Sequence, residues 1–151
     1  MEIHININKD LSEDTVNFSI KEMTPELSQI INNLQNLNFK IVANRSGKNY
    51  QLDFNDIVTI YSENKKIIVF TEDKQQYFLN GSLKNIIEKL PYYFLKISSS
   101  EIINTTKITC FEFTFGGKVK IYFKNKNFTY SSRSYLKNIR RFFGLWISNI
   151  I

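Results

Sequence analysis

Through most of its length the chain places an apolar side chain at every second residue, and that period specifies strands rather than helices. Ile3, Ile5 and Ile7 alternate with polar neighbours, as do Val16, Phe18 and Ile20, which predicts two half-buried strands near the amino terminus. After Thr24 the period changes. Thr24-Pro25-Glu26 offers a hydroxyl cap, a proline at the first helical position and an acid in the first turn, and Leu27, Ile30, Ile31, Leu34 and Leu37 follow at helical spacing. The pattern predicts a helix of about three turns with its apolar stripe packed on neighbouring strands. Strand periodicity then resumes over residues 39–42, 50–54, 57–61, 67–71 and 75–79. Ser82 caps a short helix whose buried side is Leu83, Ile86, Ile87 and Leu90 and whose exit is forced by Pro91. Two more strands flank Ser98-Ser99-Ser100.

Residues 111–123 permit a register argument. A two-residue Gly116-Gly117 loop would set Phe111 and Phe113 beside Lys120 and Tyr122 and leave Val119 and Ile121 on the other face. A three-residue loop, Phe115-Gly116-Gly117 with Gly117 in the left-handed region, pairs Phe113 with Val119 and Phe111 with Ile121 and gathers the apolar side chains on one face. The longer loop is therefore expected. A turn at Asn125-Lys126-Asn127 leads into Phe128-Thr129-Tyr130, and Ser131 or Ser132 opens a last helix.

At 151 residues and 42% hydrophobic, the chain suits one domain with a real core. No apolar run is long enough to cross a bilayer and the amino terminus lacks a secretory pattern, so a cytoplasmic protein is expected. Catalysis finds little to work with. The lone histidine, His4, cannot build a multi-histidine metal site or a hydrolase triad, and Cys110 lies in an apolar run that suggests a small core residue. Gly116-Gly117 lacks the lysine and hydroxyl that follow a phosphate loop. No enzyme, cofactor or metal is expected.

Charge is distributed unevenly. Residues 1–48 and 49–90 each hold five basic and six acidic side chains, whereas residues 91–151 hold ten basic and two acidic, a net of +8. A surplus confined to one part of a small domain is a footprint for a polyanion, nucleic acid first and an anionic membrane surface second. In the last helix, Arg133, Lys137 and Arg140 fall on one face, with Tyr135, Leu136, Ile139, Phe142 and Phe143 on the other.

Three segments then stand in an informative order: Asp56-Ile57-Val58-Thr59-Ile60-Tyr61-Ser62-Glu63, Phe94-Leu95-Lys96-Ile97-Ser98-Ser99-Ser100-Glu101-Ile102-Ile103-Asn104, and Tyr130-Ser131-Ser132-Arg133-Ser134-Tyr135. With them, residues 50–144 resemble the LytTR DNA-binding domain of bacterial transcriptional regulators. The resemblance implies a mainly β (α+β) fold, an elongated arrangement of small antiparallel sheets with short helices, here preceded by a strand-helix extension. It divides the chain into that extension, residues 1–48, and a DNA-binding domain, residues 49–151. It implies a regulator that reads the major groove of double-stranded DNA through loops. Lys65 and Lys66 lie in one contacting loop, Ser98 and Ser99 in a second, and Arg133 is a principal contact. Lys96 occupies a usually basic position, whereas many family members have His or a basic residue where Ser98 and Ser99 stand here. Lys137 and Arg140 extend the basic face, while Ser100 and Asn104 are expected to hold loop and turn together.

Some 48 residues before the domain cannot form a phosphorylated receiver. The chain thus resembles stand-alone members of the family, which implies a homodimer on DNA, with the extension as a dimer or partner surface, and a small membrane protein that modulates it. The alternative reading of the same charge is a basic interaction module, on a membrane surface or an acidic protein, with no sequence-specific DNA reading. The apolar tail Leu145-Trp146-Ile147 adds to that alternative.

Overall fold

The computed structural model describes residues 2–13, 15–35 and 40–144. Helix α1 (Pro25–Gln35) is followed by strands β1 (Ile41–Arg45), β2 (Lys48–Leu52), β3 (Ile57–Glu63), β4 (Lys66–Thr71) and β5 (Gln76–Leu79). After α2 (Leu83–Lys89) come β6 (Phe94–Ser98), β7 (Glu101–Asn104), β8 (Ile108–Phe113), β9 (Val119–Phe123), β10 (Phe128–Tyr130) and α3 (Leu136–Phe142). Every ladder is antiparallel. One sheet has seven strands in the order β2-β1-β5-β4-β3-β7-β6, and the other has three in the order β10-β9-β8. The expected mainly β chain with short helices is the one observed. The seven-stranded sheet already includes β1, so the β1–β2 hairpin straddles residue 48.

The large sheet is buried on both faces, which explains the unalternating runs Ile57-Val58-Thr59-Ile60 and Ile67-Ile68-Val69. On one face Ile60, Val69 and Ile102 join Leu83 and Ile86 of α2. On the other, Val58, Ile97 and Ile103 meet Val119, Ile121 and Phe123 of the small sheet and Ile139 of α3. Burying a side chain of this size contributes about 1.5–3 kcal/mol, so the second core fixes the small sheet and α3 against the large one.

Local predictions hold where a residue's own neighbours decide the outcome. The Thr24 hydroxyl accepts from the Leu27 amide at 3.2 Å, and the Ser82 hydroxyl accepts from the Asn85 amide at 3.3 Å, each capping its helix. The β8–β9 hairpin pairs Phe111 with Ile121 and Phe113 with Val119, while Thr114 and Lys118 close the three-residue loop. Gly116 and Gly117 have φ of +93° and +82°, a region a side chain would strain.

Four expectations need correction. The described residues ahead of α1 form no strand, and Ile3, Ile5 and Ile7 remain about 80% exposed because no ladder receives them. The α1 stripe is not packed into a core: Ile30 and Leu34 are 44% and 37% exposed, and Leu37 lies outside the described residues. Cys110 is exposed, because it directly precedes the inward-facing Phe111 and so shares the outer face with Glu112, beside Tyr122. Arg133 lies not in α3 itself but in a 3-10 turn, Arg133–Tyr135, that runs directly into it.

Candidate nucleic-acid interface

Four turns are brought together where the two sheets meet. The β3–β4 turn is a two-residue connection closed by Glu63 and Lys66, with Asn64 and Lys65 at φ of 50° and 62°. This is the doubly left-handed turn that matches strand twist, and Asn64 suits it better than Lys65 does. Tyr61 pairs with Glu101, and the Ser62 amide donates to the Ser100 carbonyl at 2.8 Å, so the β3–β4 and β6–β7 turns emerge side by side. Lys65, Lys66, Ser99 and Ser100 are exposed there.

Ser98 and Ser100 build the second turn. The Ser98 hydroxyl accepts from the Ser100 amide at 3.2 Å and lies 3.3 Å from the Ser100 hydroxyl. Ser98 therefore shapes the turn, and Ser99 is left as its outward-facing residue. Asn104 does what was expected of it. It is fully buried, donates to the carbonyls of Ile57 and Phe54 at 2.9 and 3.3 Å, and accepts from the amide and hydroxyl of Thr106 at 3.0 and 2.7 Å. All of its polar capacity goes into the scaffold.

Arg133 is set by its two predecessors. Buried Ser131 donates its amide to the Val119 carbonyl and accepts the Val119 amide on its hydroxyl, both at 2.9 Å. The Ser132 amide donates to the Ile97 carbonyl at 3.0 Å. One serine grips the small sheet and the other the large sheet, and the exposed Arg133 follows. Its stem lies against the β8–β9 turn, where a Cβ on Gly117 would stand 3.6 Å from Arg133 Cγ. At the tip of that turn Phe115 is fully exposed. The sequence reading treated Phe115 only as a turn residue; its clue is a large aromatic side chain at a loop apex, where no face of the hairpin can cover it.

The remaining sequence candidates divide. Lys137 is exposed one turn beyond Arg133. Arg140 is half-buried with its guanidinium 5.4 Å from the centre of the Phe113 ring, covering the second core instead of projecting freely. Lys96 is half-buried and lines a groove with Glu26 of α1 and Tyr135, Asn138 and Arg141 at α3. The structure thus brings Lys65, Lys66, Ser98, Ser99 and Arg133 to one ridge and leaves Lys96 and Arg140 off it. Lys120, on the outer face of the small sheet, has its ammonium 4.4 Å from the Phe128 ring centre and 5.0 Å from that of Tyr122. The side-chain hydrogen bond with Tyr122 holds its pKa above the usual lysine value.

Behind the ridge is a cleft of about 360 Å³ between the sheets, lined by Tyr61, Ser62, Ser100, Glu101 and Thr129 among others. The Glu101 carboxylate accepts from the Thr129 hydroxyl at 2.5 Å. Burial holds its pKa above the ordinary carboxylate value, and that hydrogen bond opposes the rise.

A ridge of turns from two sheets, carrying lysine, arginine and serine, has the chemistry of a phosphate- and base-edge-reading surface. Residues 47–144 match the family model of the LytTr DNA-binding domain, about two-thirds of the chain, and the chain belongs to that family. Among its relatives are uncharacterised HTH-type transcriptional regulators of Staphylococcus aureus. Those of strains NCTC 8325 and bovine RF122 are each 28% identical over 142 residues, covering 93% of this chain and 96% of theirs. The LytTr DNA-binding domain of a Bacillus cereus protein has the same fold, with a TM-score of 0.66 at 18% identity over 70% of this chain and 96% of that one. Among the described residues α1, α2 and α3 are separated from one another by strands, so the helix-turn-helix in the relatives' names has no counterpart here.

Proposed function

We propose that this chain is a sequence-specific transcriptional regulator that sets its ridge of turns into the major groove of double-stranded DNA. The observation that carries this is the double serine anchor, which holds Arg133 between the two sheets with its stem on the Gly116-Gly117 turn. A guanidinium so placed can bridge O6 and N7 of guanine, a contact worth about 1–3 kcal/mol of discrimination. Phe115 beside it suits a thymine methyl group. Lys65, Lys66 and Lys137 meet phosphates, Ser99 offers a hydroxyl to a base edge or phosphate, and Ser98 holds the turn that presents it. Lys96 and Arg140 contribute charge from behind the ridge.

In this reading the protein works in the cytoplasm, as a pair of subunits on tandem or inverted sites, and a small membrane protein modulates it. Among the described residues no helix is long and apolar enough to cross a membrane itself. The test is gel retardation on DNA from the protein's own promoter against scrambled DNA of the same composition. A clear preference for the promoter is expected, and equal retardation would remove sequence reading from the account.

A further inference from the structure

Ten of the large apolar side chains left exposed among the described residues lie between Ile3 and Leu34: Ile3, Ile5, Ile7, Leu11, Val16, Phe18, Ile20, Met23, Ile30 and Leu34. Scattered singly, exposed apolar residues need no explanation; gathered in one segment, they mark an interface. The orientation of α1 sharpens the point. Its amide residues Gln29, Asn32 and Asn33 line the gap against Leu90 and Tyr92, and the Tyr92 amide donates to Asn33 Oδ1 at 3.3 Å. The helix thus presents polar groups to this gap and leaves Ile30 and Leu34 exposed with Leu27 and Ile31 only half-buried, so its apolar stripe finds little cover on its own domain.

We propose that the segment from Ile3 to Leu34 is the surface on which a second copy of this chain docks, its arms pairing as antiparallel strands across a two-fold axis. This rests on the reading of the protein as a regulator that acts in pairs. The arm is self-complementary. Antiparallel pairing centred on Ile5 sets Ile3 against Ile7 and His4 against Asn6, puts the isoleucines of both copies on one face, and leaves Glu2 opposite Asn8 rather than another acid. It also gives the alternating residues the ladder they lack within one chain.

Area favours a second copy, and charge argues against two other occupants. Covering these ten side chains removes roughly 1,000 Å² per subunit, above the roughly 800 Å² per partner of a standard stable interface. Residues 1–23 hold five acidic and two basic side chains, a net of −3, which disfavours an anionic lipid surface or nucleic acid as the occupant.

Sedimentation equilibrium of the full chain without DNA tests this. The wild-type protein is expected at about twice the 17.9 kDa of one chain. The double variant Ile5→Glu with Phe18→Glu should dissociate at least about 100-fold more readily, two tenfold steps for two anchors, with an unchanged melting temperature for the β domain. In a Cys110→Ser background, Ile5→Cys should form an intermolecular disulfide, because its symmetry mate lies about 4.5–5.5 Å away in Cα position. Ile3→Cys should not, being offset from its own mate by roughly 14 Å. A wild-type monomer at tens of micromolar, undiminished association in the double variant, cross-links as ready from Ile3→Cys as from Ile5→Cys, or a monomer that floats with phosphatidylcholine vesicles would each overturn the proposal. Promoter retardation by the wild-type protein is scored separately: its absence would sink DNA reading and leave the dimer standing, whereas a monomer that retards DNA would do the opposite.

Discussion

Ser131 and Ser132 fix where Arg133 starts, and the glycine turn beneath fixes where its stem runs. Such preorganisation suits a base contact, because little side-chain freedom remains to be lost on binding. Lys124, exposed beyond the end of β9, has no comparable support and suits a phosphate contact. Arg133→Ala should therefore weaken promoter binding by about 1–3 kcal/mol while changing binding to random DNA much less. Lys124→Ala should weaken both alike, and titrations of each variant on the two DNAs would show equal losses if these roles are wrong. Glu101 presents the opposite case, a charge the fold disfavours. Because burial raises its pKa in the folded state, the folded protein holds that proton more tightly than the unfolded chain. Its contribution to stability is present below the unfolded carboxyl pKa and lost as pH rises through the folded one. Glu101→Gln should accordingly melt higher than wild type at pH 7, and the gap should close as pH falls through the carboxylate range. A gap independent of pH would mean that the Thr129 hydrogen bond outweighs the cost of burial.

At the scale of elements, the β3–β4 turn holds a conflict between stability and binding. Lys65 sits at φ of 62° where glycine would be at ease, a placement that costs a side-chain-bearing residue roughly 1–2 kcal/mol. Lys65→Gly should raise the melting temperature by an amount equivalent to about 1 kcal/mol and at the same time weaken DNA binding. Chemical denaturation beside a DNA titration would show the two moving in opposite directions, and a loss of both would mean the turn has another conformation. This also separates what the sequence reveals from what it hides. The β8–β9 register was legible because only one pairing collects Phe111, Phe113, Val119 and Ile121 on a single face. Helix caps at Thr24 and Ser82 were legible because they depend on a hydroxyl three residues from its donor. The same alternation that turns Phe111 and Phe113 inward turns Cys110 outward, so its apolar neighbours were a misleading cue; what the sequence hid was the bulge before it, which lets Ile108 face inward as well. Hidden too was the fate of the amino-terminal isoleucines, because alternation predicts readiness to pair and says nothing about where the partner strand lies. Among the ridge residues, the positions of Lys65, Ser99 and Arg133 came from resemblance. That Arg140 folds over Phe113 while Arg133 stays exposed comes from the packing of α3 on the small sheet, which no helical period can announce.

Across the whole molecule, charge and fold divide the labour. The +8 of residues 91–151 lies on the part that holds β6 to α3, and that part supplies two of the ridge's loop systems and Arg133. Not all of this charge is available to DNA. Lys107 is paired with Glu72 at 2.8 Å, Lys120 lies among Tyr122, Phe128 and Tyr130, and Arg140 covers Phe113. Lys118, Lys124, Lys126, Arg133 and Lys137 are exposed there, and Lys65 and Lys66 add to them from the β3–β4 turn. If Arg133 reads a base, about six cations remain for phosphates. Each neutralised phosphate releases about 0.9 of a condensed counterion from duplex DNA, so log K should fall against log salt with a slope near −5 per bound subunit. Arg133→Ala should leave that slope nearly unchanged, whereas Lys65→Gly should make it shallower by about one. Binding isotherms between roughly 50 and 200 mM salt would resolve these slopes. A flat dependence would show that the basic surplus serves something other than the phosphate backbone. A slope well beyond −5 would show that Lys120, Lys96 or Arg140 leaves its present packing when DNA arrives.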